Sequence, residues 1–289
     1  MLAAPAALKP LVPLIDPELE LAPVGELEPL PAALANAEVA VNLHGRGPDS
    51  HRILLRAGAG RARRLWFAHG AIAESRSSPR WRADEHERER WCRMLAEQGV
   101  AADPGDLAVA PPAGASQLDL AGTRPTVIHP GAASAARRWP ADRYATVARA
   151  ELVAGRTVAV TGSASEAGLA HEVAAAAGLP RTAVLAGRTS LDTLARVVRA
   201  AGRVVCGDTG MAHLATAVGT PSVVLFGPTS PAHWGPPRDP RHRVLWRGTA
   251  ADSGDPHANR PDPRLLRIQA DEVIEALAGL PQPVGSQSG

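Results

Sequence analysis

Long apolar runs, cysteine and lysine are absent or scarce in this sequence of 289 residues. No run reaches the roughly 18 apolar residues that a membrane-spanning helix needs, and the start lacks the successive segments of a secretory signal. The two cysteines, Cys92 and Cys206, lie too far apart for a zinc or redox motif and are predicted to be free thiols. We therefore expect a soluble, cytoplasmic protein that makes at most peripheral contact with a membrane.

Lysine is nearly missing, because Lys9 is the only lysine among the 31 basic residues. The arginines are offset by 29 acidic residues, which leaves a formal charge of +2. Such a balance does not call for a nucleic-acid partner, and most of the arginines are expected on the solvated surface. A hydrophobic content of 45% indicates a globular protein with a buried core.

Several well-known catalytic and binding motifs are also missing. The sequence has no G-x-G-x-x-G after a first strand, no G-x-x-x-x-G-K-[ST] loop and no G-x-S-x-G elbow. H-E-x-x-H and C-x-x-C do not occur, nor does an Asp-x-Asp pair of the kind that holds a divalent metal on a nucleotide diphosphate. We predict neither a metal nor a cofactor, so arginine, backbone amides and histidine remain as the groups that would bind a ligand.

The length suits two domains. Residues 99–124 combine repeated Pro, Gly and Ala with little periodicity, as a linker does. We predict an N-terminal domain over 1–120, with the linker starting at about residue 99, and a C-terminal domain over 121–289. In the first half, prolines exclude a long helix between residues 10 and 31. Beyond them the pattern predicts strands at 38–44 and 64–68 and helices at 49–56 and 82–98.

The second half alternates short apolar strands with helices, which is typical of right-handed βαβ units in a doubly wound parallel sheet. Strands are predicted at 125–129, 156–161, 182–185, 203–206 and 221–226. Helices are predicted at 141–153, 165–177, 190–201, 210–218 and 270–278. In such a sheet ligands bind beyond the carboxyl ends of the strands, so the loops that follow the strands are the candidate sites.

The first of these loops runs from His129 through Gly131 to Arg137 and Arg138. Its small residues allow a ligand to approach the backbone, and either arginine could hold a phosphate through two parallel hydrogen bonds. The alternative is a flexible loop with solvated arginines.

The second loop contains Gly162, Ser163 and Glu166. The glycine permits a tight turn, and a carboxylate in the first helical turn can accept hydrogen bonds from ribose hydroxyls. Glu166 could equally be a capping residue that stabilises the helix dipole.

The third loop, residues 207–214, places Asp208, Thr209 and Gly210 at the start of a helix that carries His213 one turn further on. Free amides at a helix start, a hydroxyl and a histidine would converge on a pyrophosphate. The alternative is a cap by Asp208 with His213 packed in the core. A fourth loop, residues 226–236, could border the cleft or simply turn the chain.

Taken in order, these loops resemble glycosyltransferase family 9, the heptosyltransferase family. The resemblance rests on VIHPGA at 127–132, RRWP at 137–140, GSASE at 162–166 and, above all, DTGMAHLA at 208–215 with GTPSVVLFGPT at 219–229. It is strong over about residues 125–236 and looser around NLHGR at 42–46. The resemblance implies an α/β fold of GT-B type, with two Rossmann-like parallel-sheet domains facing a cleft.

The resemblance also implies an activity and a donor site. Asp208, Thr209, Gly210 and His213 would bind the diphosphate and sugar of a nucleoside-diphosphate donor, and Glu166 would hold its ribose. Arg137 falls where many relatives have a lysine facing the phosphates. His129, Gly131, Gly162 and Ser163 complete the predicted donor site.

The implied reaction is metal-independent, inverting transfer of a sugar, with ADP-heptose as the expected donor, to a glycan or glycolipid acceptor in lipopolysaccharide core biosynthesis. Two alternatives remain open. One is a noncatalytic nucleotide-sugar-binding protein, and the other is a nucleotide-sugar epimerase of the same architecture, which would be expected to place additional carboxylates in the cleft.

The start of the chain departs from the family pattern. Family members begin with a strand and a glycine-rich loop that carries an aspartate, proposed as the catalytic base. No counterpart of that first unit is found here, so we expect the N-terminal domain to be incomplete. Asp16, His44 and Asp49 do not match the motif of that aspartate, and no catalytic residue is assigned.

Overall fold

A computed structural model describes residues 1–57, 62–112, 124–249, 252 and 254–281. It divides into two compact units, Met1–Asp106 and Leu107–Gly289. Much of the predicted linker, residues 113–123, lies outside the described residues, and the predicted boundary near residue 120 stays a prediction. Within the described ranges, every helix is too short or too polar to traverse a lipid bilayer.

The first unit contains two small parallel sheets. Strands β1 (Leu2–Ala4) and β2 (Leu21–Pro23) form one pair, and β3 (Val39–Val41) and β4 (Arg63–Leu65) form the other. The helices are α1 (Val12–Ile15), α2 (Asp49–Arg56) and α3 (Glu87–Ala96), with 3-10 turns at Ala6–Leu11, Ala32–Leu34 and Ala73–Ser75. The core cluster of this unit is built on Leu65, Phe67 and Met94. The proline-rich start holds only short elements, because proline removes a backbone donor and clashes with the preceding helical turn.

Helix α3 is shorter than the predicted span of 82–98. It begins after His86, whose imidazole accepts a hydrogen bond from the backbone amide of Arg88. This cap satisfies a donor that would otherwise be unpaired at the helix start. The charged residues before His86 therefore belong to the preceding turn.

The second unit is built on a five-stranded parallel sheet in the order β6-β5-β7-β8-β9. Its strands are β5 (Thr126–His129), β6 (Val158–Val160), β7 (Arg203–Gly207), β8 (Ser222–Leu225) and β9 (His242–Leu245). Its helices are α4 (Ala141–Val153), α5 (Ala167–Ala177), α6 (Leu191–Ala200), α7 (Gly210–Ala217), α8 (Pro231–Trp234), α9 (Pro263–Leu266) and α10 (Ala270–Ala278).

Helices cover both faces of this sheet. Side chains alternate along each strand, so Ile128 and Val205 pack on one face with α4, α5 and α10, whereas Val127 and Val204 pack on the other with α6 and α7. Strands that are buried on both faces read as continuous apolar runs, which is why the pattern of the sequence revealed them. This arrangement fixes the carboxyl ends of the central strands at one edge of the sheet.

The sheet differs from the prediction in two places. The strand predicted at 182–185 is a 3-10 turn, Arg181–Ala183, followed by a single parallel bridge between Val160 and Val184. The backbone amide of Ala183 bonds back to the carbonyl of Pro180, which closes a turn there. Strand β9 was not predicted, because it is a short, partly polar segment that lies close after a proline-rich stretch.

Candidate functional site

The loop after β7 brings Asp208 and Thr209 to the start of α7. Asp208 is buried, with 8% of its surface exposed, and its amide donates to the carbonyl of Leu225 at 3.1 Å. Thr209 caps α7 by accepting a hydrogen bond from the amide of Met211 at 3.3 Å. The alternative in which Asp208 is the cap is therefore wrong.

The start of α7 is open. Gly210 is exposed, and a Cβ atom added to it would meet no atom within 4 Å. His213 lies one turn further along α7 and is also exposed, so it is not the packed core residue of the alternative interpretation. The helix start thus presents its positive dipole end to unfilled space, as an anion site requires.

Arg137 joins the loop after β5 to this turn. Its Nη1 donates to the carbonyl oxygen of Asp208 at 3.1 Å, and its own carbonyl lies 3.0 Å from where a Cβ on Gly207 would be. The Nε of Arg137 is buried and has no hydrogen-bond partner in the described part of the chain. The Nε of Arg138 instead donates a hydrogen bond to the carbonyl oxygen of Ala132, at 2.9 Å. Of the two arginines, Arg137 is therefore the one held against the Asp208 turn.

Burial raises the pKa of Asp208, although the charge of Arg137 and a hydrogen bond with Thr229 oppose the rise. Thr229 comes from the fourth loop, which sequence reasoning left undecided between bordering the site and turning the chain. Thr229 stands in the block 219–229 that carries part of the family resemblance, and that block was the only signal for it in the sequence. The contact places this loop at the site.

Glu166 and Ser163 form a reciprocal cap in the loop after β6. One carboxylate oxygen of Glu166, Oε2, accepts from the amide and from the hydroxyl of Ser163, each at 2.8 Å. Burial acts to raise the pKa of Glu166, but these two bonds, His129 and Arg138 outweigh it and hold the pKa below its ordinary value. The capping role is thus present in the structure, and the ribose contact stays a prediction.

Two glycines make room for this carboxylate. A Cβ on Gly131 would lie 2.2 Å from the carboxylate carbon of Glu166, and one on Gly162 would lie 3.2 Å from its Cβ. Distances below 3.0 Å cannot be accommodated without a shift. A side chain at position 131 would therefore have to displace the Glu166 carboxylate.

His129 ends β5 and is partly buried. Its Nδ1 lies 3.0 Å from the hydroxyl of Thr161. Burial lowers the pKa of His129, with the Glu166 carboxylate acting in the opposite direction, so the neutral imidazole is favoured at neutral pH.

The predicted residues form two groups at the carboxyl edge of the sheet. The first group, at the ends of β5 and β6, comprises His129, Gly131, Gly162, Ser163 and Glu166. The second comprises Asp208, Thr209 and Gly210 at the end of β7, together with Arg137, which reaches the Asp208 carbonyl from the loop after β5. Strands β5 and β7 are neighbours with His129 opposite Cys206, so the ends of these two strands lie about 5 Å apart. His213 is set back from both groups, on α7. In the described ranges, no group of three or more His, Cys, Asp or Glu side chains is arranged to hold a metal ion.

Comparison with known proteins extends this description. Residues 52–258 match the family model for glycosyltransferase family 9 (heptosyltransferase). Lipopolysaccharide heptosyltransferase 2 of Escherichia coli K12 is 35% identical over 135 residues, which span 45% of this chain and 38% of that protein. The match with this relative thus spans well under half of the relative's length.

Solved structures show the same architecture. The structure of E. coli ADP-heptose LPS heptosyltransferase II has a TM-score of 0.71 at 24% identity, covering 96% of this chain and 87% of that one. E. coli heptosyltransferase WaaC with ADP has a TM-score of 0.69 at 17% identity, with 96% and 88% coverage.

These findings define first a class and then a family. The parallel α/β architecture is of GT-B type, as the sequence predicted. The chain belongs to glycosyltransferase family 9, the heptosyltransferase family.

Proposed function

We propose that this protein is a glycosyltransferase that moves a sugar from a nucleoside-diphosphate donor to a glycan or glycolipid acceptor, with inversion at the anomeric carbon. The observation that carries the proposal is the open start of α7, where Gly210 borders unfilled space and Arg137 is fixed beside Asp208. Helix-terminal amides and a guanidinium are suited to a diphosphate, since both supply donors and positive potential.

Each group of site residues has a distinct task in this proposal. Arg137 and the start of α7 neutralise the charge that develops on the diphosphate as its bond to the sugar breaks. Asp208, which Arg137 and Thr229 hold in place, accepts hydrogen bonds from the donor. Glu166 has its second oxygen, Oε1, for the ribose while Oε2 remains on Ser163.

The chemistry needs no covalent intermediate. An oxygen of the acceptor hydroxyl bonds to the anomeric carbon, the bond from that carbon to the diphosphate breaks, and the nucleoside diphosphate leaves with the electron pair. A base takes the proton of the hydroxyl. The base is not assigned to a residue, and independence from metal ions is part of the proposal.

The relatives guide the choice of substrates. The names of the proteins matched include lipopolysaccharide heptosyltransferase, ADP-heptose LPS heptosyltransferase and a heptosyltransferase with ADP. We infer ADP-heptose as the donor and a lipopolysaccharide core precursor, met at the cytoplasmic side of a membrane, as the acceptor. His213 would approach the diphosphate and sugar of that donor from α7.

The test is a donor-binding and turnover assay with purified protein. We expect ADP to bind, and we expect ADP-heptose to release ADP when an acceptor glycolipid is supplied. Asp208→Ala and His213→Ala should each weaken ADP affinity by about 1 to 3 kcal/mol, because each removes a charged or buried hydrogen bond.

Asp271→Ala is the matched control, since Asp271 is an exposed aspartate on α10, outside the site. Unchanged ADP titrations for both site variants would remove the proposed pocket. Binding of ADP without any release from a panel of donors and acceptors would favour the noncatalytic alternative. Conversion of the donor sugar without acceptor would favour the epimerase.

A further inference from the structure

A basic groove lies along the open edge of β4 in the first unit. Its cavity of about 360 Å³ has eight lining residues, of which Arg63 and Arg64 are basic and Glu74 alone is acidic. A second hollow of about 470 Å³ shares Ser77, Ser78 and Gln98 with it and continues to Arg80 and Arg82. We call the first cavity the β4-edge groove.

Backbone amides of β4 also point to this groove. The amide of Arg63 donates to the carbonyl of Glu38, and the carbonyl of Leu65 accepts from the amide of Asn42, so alternate residues of β4 bond to the β3 side. Because the direction of backbone groups alternates along a strand, the amides of Arg64 and Trp66 face the opposite edge, where the carbonyl of Trp66 accepts from Nε2 of Gln98 at 3.3 Å. Further along that edge the amide of Ala68 donates to the carbonyl of Pro79 at 2.8 Å. The loop that contains Pro79 therefore closes one end of the groove.

The two arginines of the groove are held in place. The guanidinium of Arg63 donates to the carbonyl of Gln98. The guanidinium carbon of Arg64 lies 5.6 Å from the ring centre of Trp66, and the Trp66 ring is itself stacked on His51 at 4.7 Å with an angle of 7°. Side chains fixed in this way lose less conformational entropy when a ligand binds.

We propose that the β4-edge groove binds a phosphate group. Two guanidinium groups and two serine hydroxyls line the groove and can donate hydrogen bonds, which matches an anion with several acceptor oxygens. The cavity lies near the lower end of the size range of ligand sites, and its polar lining excludes an apolar ligand. The phosphate belongs to a small phosphorylated molecule or to a lipid headgroup. This site is in the first unit and does not depend on the proposed donor site.

The test is an NMR titration of the full chain with inorganic pyrophosphate, read at the indole and amide signals of Trp66 and assigned with Trp66→Phe. Saturable shifts at Trp66 are expected. Arg64→Gln should weaken this binding at least about tenfold, because a charged hydrogen-bond pair is lost. Ser78→Ala should weaken the binding of pyrophosphate less. This second variant keeps the test decisive if Arg64→Gln fails to fold. Arg76→Gln, an exposed arginine of the same loop that does not line the groove, should bind like the parent protein.

A further variant, Arg137→Gln, distinguishes binding in the β4-edge groove from binding at the proposed donor site. It should leave the shifts at Trp66 unchanged. Cosedimentation with phosphatidylcholine vesicles that contain phosphatidylglycerol distinguishes the two sources of phosphate. Arg64-dependent cosedimentation would assign a lipid headgroup, and Arg64-dependent pyrophosphate binding alone would assign a soluble ligand. Equal binding of pyrophosphate and vesicles by the Arg64→Gln and Arg76→Gln variants would overturn the proposal, whatever the result at the donor site.

Discussion

Asp208 is the residue at which the requirements of stability and of binding conflict most directly. Its carboxyl is buried, so the charged form is poorly solvated, and burial raises its pKa despite Arg137 and Thr229. A buried carboxylate lowers the stability of the folded state, because water no longer supplies its hydrogen bonds. It favours ligand binding for the same reason, since a bound donor can supply those hydrogen bonds.

The first prediction at this scale concerns pH. Because folding raises the pKa of Asp208, its favourable contribution to stability is complete below the unfolded pKa of about 3.9 and is lost as the pH rises through the folded pKa. Asp208→Asn should therefore raise the thermal midpoint at neutral pH, and the gain should shrink as the pH falls toward about 3.5.

Thermal unfolding across this pH range measures the effect, with the exposed Asp142→Asn on α4 as the control. A lower midpoint of the Asp208→Asn variant at neutral pH would show that the contact with Arg137 outweighs the burial of the charge. The same variant should bind ADP more weakly, which separates its stability from its function.

At the scale of elements, α4 is attached to the C-terminal segment by side chains at its start. The indole nitrogen of Trp139 donates to the carbonyl of Ile268 at 3.1 Å, and the Trp139 ring lies edge-on to Tyr144 at 4.9 Å. Arg143 donates to the carbonyls of Leu266 and Ile268, each at 2.6 Å. The loop that carries Arg137 leads directly into this joint, so the position of the arginine depends on how α4 is seated.

Trp139→Ala should lower the free energy of unfolding by about 3 to 5 kcal/mol, because it leaves a cavity and an unpaired carbonyl. Trp234→Ala is the matched control: Trp234 is 42% exposed and its removal should change stability by about 0.5 kcal/mol or less. Chemical denaturation of both variants measures the difference. Similar values for the two would mean that α4 does not depend on the Trp139 contact.

Elements differ in how far the sequence determines them. Helices α4 and α10 have the predicted bounds, since their apolar spacing and their ends are set locally. The turn at Arg181–Ala183 replaced a predicted strand, because only one bridge pairs with β6 there. Strand β9 forms by pairing with the edge of β8. Such pairing depends on tertiary context, so the local sequence pattern did not predict this strand.

The site was predictable in composition and less so in geometry. Glycine-containing turns after strands identified Gly131, Glu166, Asp208 and Gly210, because parallel topology sends such turns to one edge. Two contacts depend on side-chain directions that packing sets. One is the hydrogen bond from Arg137 to the Asp208 carbonyl, and the other is the hydrogen bond between Thr229 and the Asp208 side chain. These contacts required the three-dimensional structure.

At the scale of the whole molecule, the residues of the proposed donor site all belong to the second unit, Leu107–Gly289. A ligand that binds only the folded protein stabilises it by mass action, by about 2.7 kcal/mol at a hundred times its dissociation constant. This stabilisation should be largest in the loops that contact the ligand.

ADP should accordingly slow amide hydrogen exchange most strongly in the loops after β5, β6 and β7 of the second unit. Exchange measured by mass spectrometry with and without ADP tests this, and the Asp208→Ala variant should show weaker protection at the same ADP concentration. Protection concentrated instead in Met1–Asp106 would place the nucleotide outside the proposed site.

The contact between Gly131 and the Glu166 carboxylate limits how this protein can change over evolution or in the laboratory. A side chain at position 131 would occupy the space of that carboxylate, so a larger residue there would push the Glu166 carboxylate away from Ser163 unless position 166 had become smaller. Changes at positions 131 and 166 should therefore depend on one another, although the two residues lie far apart in the sequence. A mutagenesis library that changes position 131 alone would therefore sample sites with a displaced Glu166 carboxylate, whereas paired changes at 131 and 166 would also sample sites in which both loops keep their contact.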